Sequence, residues 1–336
     1  MTGRPAHPDR DAPDSEAEHL EGVQSALPHT VEGTVVTVGT FDGVHLGHRA
    51  ILQEIGRRAE TRGLSSVLLT FDRHPFTVVR PERAPPLLTT PNEKKQILAQ
   101  FGIDYVAFVS FNIALSRYTP EEFVRLVLLE RLRARELVIG HDHGFGRGRS
   151  GHVGTLRALG EQHGFDVDVV EGVVVNGDPV SSTRIRRLIR EGRVDSAERA
   201  LGRPYSITGS VVHGMGRGRA LGFPTANIAP PPASKLLPAK GIYAVRANLR
   251  TEIRNGLVHL GPRPTFAGSP PSIELYLLDF DRDIYGELVT VEFLHRLRGV
   301  RPFDSAAALV EQMRRDEEEA SRYFRREGEL ASGLEP

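Results

Sequence analysis

The sequence predicts an α/β domain built on a parallel sheet, followed by a small antiparallel β-barrel with a closing helix. Three observations predict it. From Thr34 to about Leu201 apolar runs alternate with amphipathic stretches, as repeated strand and helix units require. After Gly202-Arg203-Pro204 the texture changes to short alternating runs broken by Gly and Pro. At 336 residues the chain also exceeds the roughly 250–300 residues at which a single core stops growing, so two domains are expected.

The elements follow in order. Residues 1–33 carry Pro, Asp, Glu and His without apolar periodicity and are expected to form a disordered extension; they lack the basic start and continuous apolar core of a signal peptide. Val35 to Val38 is the first buried strand. Leu46, Ala50, Ile51, Ile55 and Ala59 then recur at helical spacing, so a helix follows the loop from Gly39 to His45. Further strands are expected at Ser66 to Phe71, Tyr105 to Val109, Leu137 to Gly140 and Val167 to Val170. Two of the intervening helices announce their starts: Thr90-Pro91-Asn92-Glu93 and Thr119-Pro120-Glu121-Glu122 each supply a capping Thr, a Pro at the first helical position and a Glu at the third. Beyond a boundary near residue 203, strands are expected at Ser206 to His213, Gly241 to Leu249, Asn255 to Leu260, Ile273 to Phe280 and Leu288 to Leu297, with Val289, Val291 and Phe293 alternating toward one buried face. Asp304 to Arg325 reads as one helix and residues 328–336 as a second loose end, giving domains of 34–202 and 203–327.

Composition narrows the function classes. The 43 Lys and Arg equal the 43 Asp and Glu, so no net field draws the chain to nucleic acid or to an anionic membrane, and neither is an expected partner. There is no cysteine, which removes disulfides, thiolate nucleophiles and thiolate metal sites together. No apolar run approaches the roughly 20 residues that span a bilayer, so the expected address is cytoplasmic. Oligomeric state is not legible in the composition.

The first chemical signal is the loop Gly39-Thr40-Phe41-Asp42-Gly43-Val44-His45-Leu46-Gly47-His48. Its glycines let backbone approach a ligand closely, and the following helix offers free N–H groups and the positive end of its dipole to phosphate. His45 and His48, three residues apart, lie on one face of that turn and could donate to phosphate oxygens as charge develops on an attacked α-phosphate. The plainer reading makes them a capping and a surface histidine; without a third ligand nearby, zinc is not expected.

The second signal is His213-Gly214-Met215-Gly216-Arg217-Gly218-Arg219-Ala220-Leu221-Gly222-Phe223-Pro224-Thr225-Ala226-Asn227. Alternating Gly and Arg, as in Gly216-Arg217-Gly218, is a flexible cationic loop suited to polyphosphate, while Thr225 and Asn227 offer neutral oxygens to a hard cation such as Mg²⁺. A basic surface loop or an RNA-contacting segment would carry the same alternation. No Walker sequence occurs, so any kinase chemistry uses another scaffold.

The first decapeptide resembles the HxGH signature of nucleotidyltransferases and, in its full form, that of the bacterial bifunctional riboflavin kinase/FAD synthetases. Thr70-Phe71-Asp72-Arg73-His74-Pro75 and Ser181-Ser182-Thr183-Arg184-Ile185-Arg186 resemble further segments of that family in order. So do Gly222-Phe223-Pro224-Thr225-Ala226-Asn227, Gly241-Ile242-Tyr243-Ala244, Gly261-Pro262-Arg263-Pro264-Thr265-Phe266 and Glu274-Leu275-Tyr276. The resemblance implies an α/β Rossmann-like nucleotidyltransferase domain followed by a six-stranded β-barrel riboflavin kinase domain with a C-terminal helix. It implies phosphorylation of riboflavin to FMN by ATP in the barrel, and adenylylation of FMN to FAD in the first domain with release of pyrophosphate. It assigns His45 and His48 to catalysis there, with Gly39, Phe41, Asp42, Gly43, Gly47, Asp142, Ser182, Thr183 and Arg186 binding nucleotide. In the barrel it assigns Gly216, Arg217, Gly218 and Gly222 to nucleotide, Thr225 and Asn227 to Mg²⁺, and Glu274 to the general base. Glu274 would sit on a strand whose other face carries Ile273, Leu275 and Leu277 inward.

Three places depart from the family pattern. His143 and Gly144 stand in Gly140-His141-Asp142-His143-Gly144-Phe145-Gly146 where an aromatic and its neighbour are usual; Ala220 stands where Lys or Thr is common, and His259 where Asn is. Two alternatives therefore stay open: a divergent paralogue with one site inactive or altered in nucleotide preference, and a flavin- or RNA-binding regulator without turnover.

Overall fold

The computed structural model describes residues 18–21, 27–141, 151–213, 222–261 and 272–332, of which 18–21 and 330–332 are described by their backbone alone. The chain divides into two compact units, Met1–Pro85 with Thr89–Val174, and Pro86–Leu88 with Val175–Pro336.

The first unit is a Rossmann-like sheet. Strands β1 (Glu18–Glu21), β2 (Thr34–Val38), β3 (Ser65–Phe71), β4 (Tyr105–Val109), β5 (Ala134–Gly140) and β6 (Asp166–Val170) pair throughout in parallel, in the order β1-β4-β3-β2-β5-β6. Helices α1 (Leu46–Arg62), α2 (Phe76–Val79), α3 (Pro91–Leu98), α4 (Ile113–Ser116), α5 (Pro120–Phe123) and α6 (Val153–His163) link them. Period-two alternation sorts the strand residues between two cores. Val35, Leu68, Val106 and Val138 pack with Leu52, Ile55 and Ala59 of α1, whereas Val36, Leu69, Leu137 and Ile139 pack against Phe123, Leu156 and Leu159 on the other face.

Both capping boxes form. The hydroxyls of Thr90 and Thr119 accept from the backbone of Glu93 and Glu122 at 3.3 and 3.1 Å, and each glutamate carboxylate accepts the return bond at 2.8 Å. After Phe123 the helix widens into a π-helical turn, Val124–Leu129, with Val127 and Leu128 buried.

The extension is shorter than the sequence suggests. Glu18–Glu21 adds a parallel edge strand beside β4, and Leu27 and Val31 are 2% and 7% exposed within the core. An edge strand needs only backbone partners, and two isolated apolar residues can fill a gap without making a periodic pattern.

In the second unit β9 (Tyr205–Val212), β10 (Ala226–Ile228), β11 (Gly241–Asn248), β12 (Ile253–Gly261), β13 (Ser272–Leu277) and β14 (Leu288–Arg298) close an antiparallel barrel in the order β10-β13-β12-β11-β14-β9. A short ribbon, β7 (Val174–Val175) with β8 (Asp178–Pro179), precedes it. Helices α7 (Ser182–Arg190) and α8 (Val194–Leu201) contribute Ile185, Leu188, Ile189, Val194 and Leu201 to the same core as Tyr243, Val258, Leu275 and Phe293 of the barrel. By packing, then, these two helices go with the barrel, although their sequence continues the strand–helix texture of residues 34–202. Helix α9 (Ala306–Ser332) runs past the loose end expected from residue 328. Asp316 holds it with 2.6 and 2.8 Å bonds from Arg298, and Glu317 accepts from the Tyr276 hydroxyl at 3.0 Å, so the helix is anchored well before its end.

Candidate active sites

The strand order of the first unit reverses between β2 and β5, since β3 and β4 lie to one side of β2 and β5 and β6 to the other. Ligands of open parallel sheets bind beyond the carboxyl ends of the strands at such a reversal. The residues that leave β2 there are Gly39 to His45, and they are tightly built. Phe41, Gly43 and Val44 all have positive φ, 45°, 83° and 37°. Left-handed backbone costs a non-glycine residue on the order of 1–3 kcal/mol and persists only where the surroundings hold it. Here Phe41 and Val44 are sunk in the core with Leu52 and Ile55 of α1. Gly39 is required by Phe41, because a Cβ at residue 39 would lie 2.9 Å from that ring.

His45 is the N-cap of α1. Its Nδ1 accepts from the His48 backbone N–H at 3.3 Å, so in the neutral ring the proton resides on Nε2. The His45 and His48 rings stack with centroids 3.6 Å apart and planes at 14°, and His48 also meets the Phe41 ring at 4.6 Å. A Cβ at Gly47 would come within 3.3 Å of the His45 ring, which explains the small residue between the histidines. His45 is thus the capping residue that the plainer reading of the sequence expects, and it is buried beside His48.

The loop is held from behind by the start of α3, which sequence reading did not single out as functional. The carboxylate of Asp42 accepts from the Thr89 N–H at 3.0 Å, and the Gly43 N–H donates to the Thr89 hydroxyl at 3.1 Å. Asp42 therefore works within the loop. Lys94 donates to the Thr40 carbonyl at 3.1 Å and the Phe71 carbonyl at 2.7 Å. A capping box marks where α3 begins, but only tertiary packing shows which way the next lysine points.

Ser182, Thr183 and Arg186 lie on α7, in the other compact unit from the histidines. Ser181 caps that helix, accepting from Arg184 N–H at 3.2 Å, and buried Arg186 donates to the Pro86 carbonyl at 2.9 Å. Asp142, with His143 and Gly144, lies outside the described residues, as do Gly216, Arg217, Gly218 and Ala220.

In the barrel, register does the positioning. Asn227 of β10 faces Glu274 of β13, and Glu274 faces His259 of β12. Cross-strand partners share a face, so the three form one row. The intervening positions Ile228, Ile273 and Leu260 point into the core, as do Leu275 and Leu277, which is the inward face the alternation predicts. The short strand β10 itself was not foreseen. Its three residues follow Pro224-Thr225, too brief to alternate visibly. Thr225 is half-buried just before it, and Gly222 turns the chain with φ 84°.

The Glu274 carboxylate lies 4.0 Å from His259 Nδ1. Burial lowers the His259 pKa, with Glu274 opposing and Arg298 reinforcing the shift, so the ring is neutral at pH 7. Gly261 accommodates that ring, since a Cβ there would meet Nε2 at 2.4 Å. Among the described residues no group of three His, Asp or Glu could hold a metal ion. Thr225 precedes Asn227 by two residues, and Asn227 faces Glu274 across β10 and β13.

Two family models match the chain, FAD synthetase over residues 27–184 and riboflavin kinase over residues 201–324. The bifunctional riboflavin kinase/FMN adenylyltransferase of Escherichia coli K12 is 36% identical over 306 residues, 91% of this chain and 97% of its own. The chain belongs to the bifunctional riboflavin kinase/FMN adenylyltransferase family. The Bacillus subtilis 168 member is 36% identical over 301 residues, covering 87% of this chain and 92% of its own. A crystal structure described as a macrolide-efflux protein from Streptococcus pneumoniae superposes with TM-score 0.81 at 30% identity, over 90% of this chain and 98% of that one. Among the described residues of the present chain, no helix is long and apolar enough to cross a membrane.

Proposed function

We propose that this enzyme makes FMN from riboflavin and ATP in the barrel unit, and FAD from FMN and a second ATP at the loop before α1. One observation carries the reading: a single chain contains both a stacked histidine pair, one of which caps a helix, at a sheet reversal and an Asn–Glu–His row on a closed barrel. Both family models match, which supports two working sites rather than one site with a degenerate companion.

In the barrel the terminal ribityl hydroxyl attacks the γ-phosphorus of ATP, a P–O bond forms, and ADP departs. Glu274 accepts the hydroxyl proton as the bond forms. Thr225 and Asn227 are the residues that would hold Mg²⁺ with the polyphosphate, and the cation supplies charge neutralisation there. Gly216, Arg217, Gly218 and Gly222 bind the phosphates. In the first unit an FMN phosphate oxygen attacks the α-phosphorus of ATP and pyrophosphate leaves. His45, through Nε2–H, and His48 donate to the developing charge, while Gly39, Gly43 and Gly47 keep the backbone close to the phosphates. Phe41 and Asp42 shape that loop from within. Asp142, Ser182, Thr183 and Arg186 are further candidates for binding nucleotide.

The partners are small molecules, with neither nucleic acid nor membrane. The use of ATP as co-substrate twice suits a cytoplasmic address. Incubation with riboflavin, ATP and Mg²⁺, followed by chromatographic separation of flavins, should yield FMN first and FAD after it. Accumulation of FMN without FAD, or of neither, would refute the two-site reading.

A further inference from the structure

We propose that Lys94 is a positioning residue for FMN adenylylation, its ammonium holding the loop before α1 in the shape that receives the triphosphate. This rests on the assignment of that loop to the adenylylation site.

Lys94 is 6% exposed, and the three protons of its ammonium have three acceptors: the Thr40 carbonyl at 3.1 Å, the Phe71 carbonyl at 2.7 Å and the Thr70 hydroxyl at 3.3 Å. Thr40 belongs to the loop leaving β2, and Thr70 and Phe71 to the last residues of β3. One cation therefore ties together the exits of two neighbouring strands at the sheet reversal. Residue Thr89, just before α3, holds the far side of the same loop through Gly43 and Asp42. Between these two ties stands Phe41 with φ 45°, a conformation that relaxes when released. Burying an ammonium is costly even when its hydrogen bonds are complete. No neutral side chain offers three donors from one nitrogen, so the charged form is what lets this single residue hold all three acceptors.

The surroundings set when that charge is present. Asp42 in the loop and Asp72 after β3 favour it, and Glu93 and Lys95 flank it on its own helix. From β4 the Phe108 ring lies 5.7 Å from Nζ. Desolvation outweighs the two aspartates and pushes the pKa down to about 8. Above that pH the amine has two protons for three acceptors, and the loop loses a tie and its buried cation.

The test uses the full chain. The kcat for FAD formation from FMN and MgATP is measured from pH 6.5 to 9.5, with FMN formation from riboflavin in the same preparations as control. The wild-type profile should fall through about pH 8. Lys94→Met should lower kcat about 10- to 100-fold with little change in KM for FMN, the cost of misplacing reacting groups, and should abolish the limb near pH 8. FMN formation should be unaffected. Thr89→Val, which releases the other tie, should reduce kcat in the same direction by less. A Lys94→Met enzyme with wild-type kcat, or with the alkaline limb intact, overturns the inference. His48→Ala run alongside separates the two levels: if it too leaves FAD formation intact, the site assignment has failed, whereas its loss beside a fully active Lys94→Met overturns the lysine's role alone. Should Lys94→Met fail to fold its first unit, Lys94→Gln takes its place: wild-type kcat for FAD formation in that variant overturns the role, and a loss of kcat with FMN formation retained supports it.

Discussion

The loop before α1 and the row on the barrel achieve positioning by opposite means. The loop is irregular, with two non-glycine residues in left-handed backbone, and it keeps its shape because Phe41 and Val44 are buried and Thr89 and Lys94 brace it from a later helix. The row is regular: Asn227, Glu274 and His259 align because three antiparallel strands share one register. The first site is therefore sensitive to residues distant in sequence, and the second to anything that slips a strand, since a one-residue shift would turn Glu274 into the core and Leu275 out of it.

The largest expected effect tests the barrel half. Glu274→Gln keeps size and register and removes the proton acceptor, so FMN formation should fall by about 10² to 10⁴ while riboflavin and MgATP still bind. FAD formation from supplied FMN should persist. If both activities fall together, the two sites are not independent and the comparison breaks.

The converse comes next. His48→Ala should lower FAD formation by about 10² to 10³, the usual loss for one preorganised donor, and leave FMN formation near wild type. Gly39→Ala should act in the same direction without touching either ring nitrogen, because its Cβ would meet the Phe41 ring at 2.9 Å and disturb the braced loop. Full FAD activity in Gly39→Ala would mean that the loop tolerates more movement than its backbone suggests.

A smaller effect separates ligand from base within the row. Asn227→Ala should weaken apparent MgATP affinity by about 10- to 100-fold, and raised Mg²⁺ should partly restore the rate. Glu274→Gln should not respond to Mg²⁺. Recovery of Glu274→Gln at high Mg²⁺ would make the carboxylate a metal ligand.

The smallest effect concerns stability. His259 has a folded-state pKa below its unfolded value, chiefly through burial, so the unfolded chain binds more protons as pH falls through and below the usual histidine range. Its contribution is present above that range and is lost on acidification. His259→Asn should therefore flatten the decline in thermal midpoint between pH 7 and 5. An unchanged decline would assign the acid sensitivity elsewhere.

Much of this was legible along the chain. Period-two alternation around Val36, Leu69 and Ile273 reports which face of a strand is buried wherever the strand is long enough to repeat, and capping boxes at Thr90 and Thr119 report helix starts because their bonds are local. The histidine pair was legible for the same reason: cap, stack and intervening glycine all lie within four residues, His45 to His48. What needed the tertiary structure was everything that depends on distant partners. The edge strand Glu18–Glu21 and the three-residue β10 are made by backbone pairing and leave no pattern of their own. Helices α7 and α8 have amphipathic sequences that fit either domain, and only the burial of Ile185 and Val194 with Tyr243 and Phe293 assigns them to the barrel. The direction of Lys94, the service of Asp42 to Thr89 and the facing of His259 with Glu274 likewise depend on which strands and loops meet. Local hydrogen bonds and periodicity are written in neighbouring residues; a contact across tens of residues depends on topology, which the amino acids at its two ends do not specify by themselves.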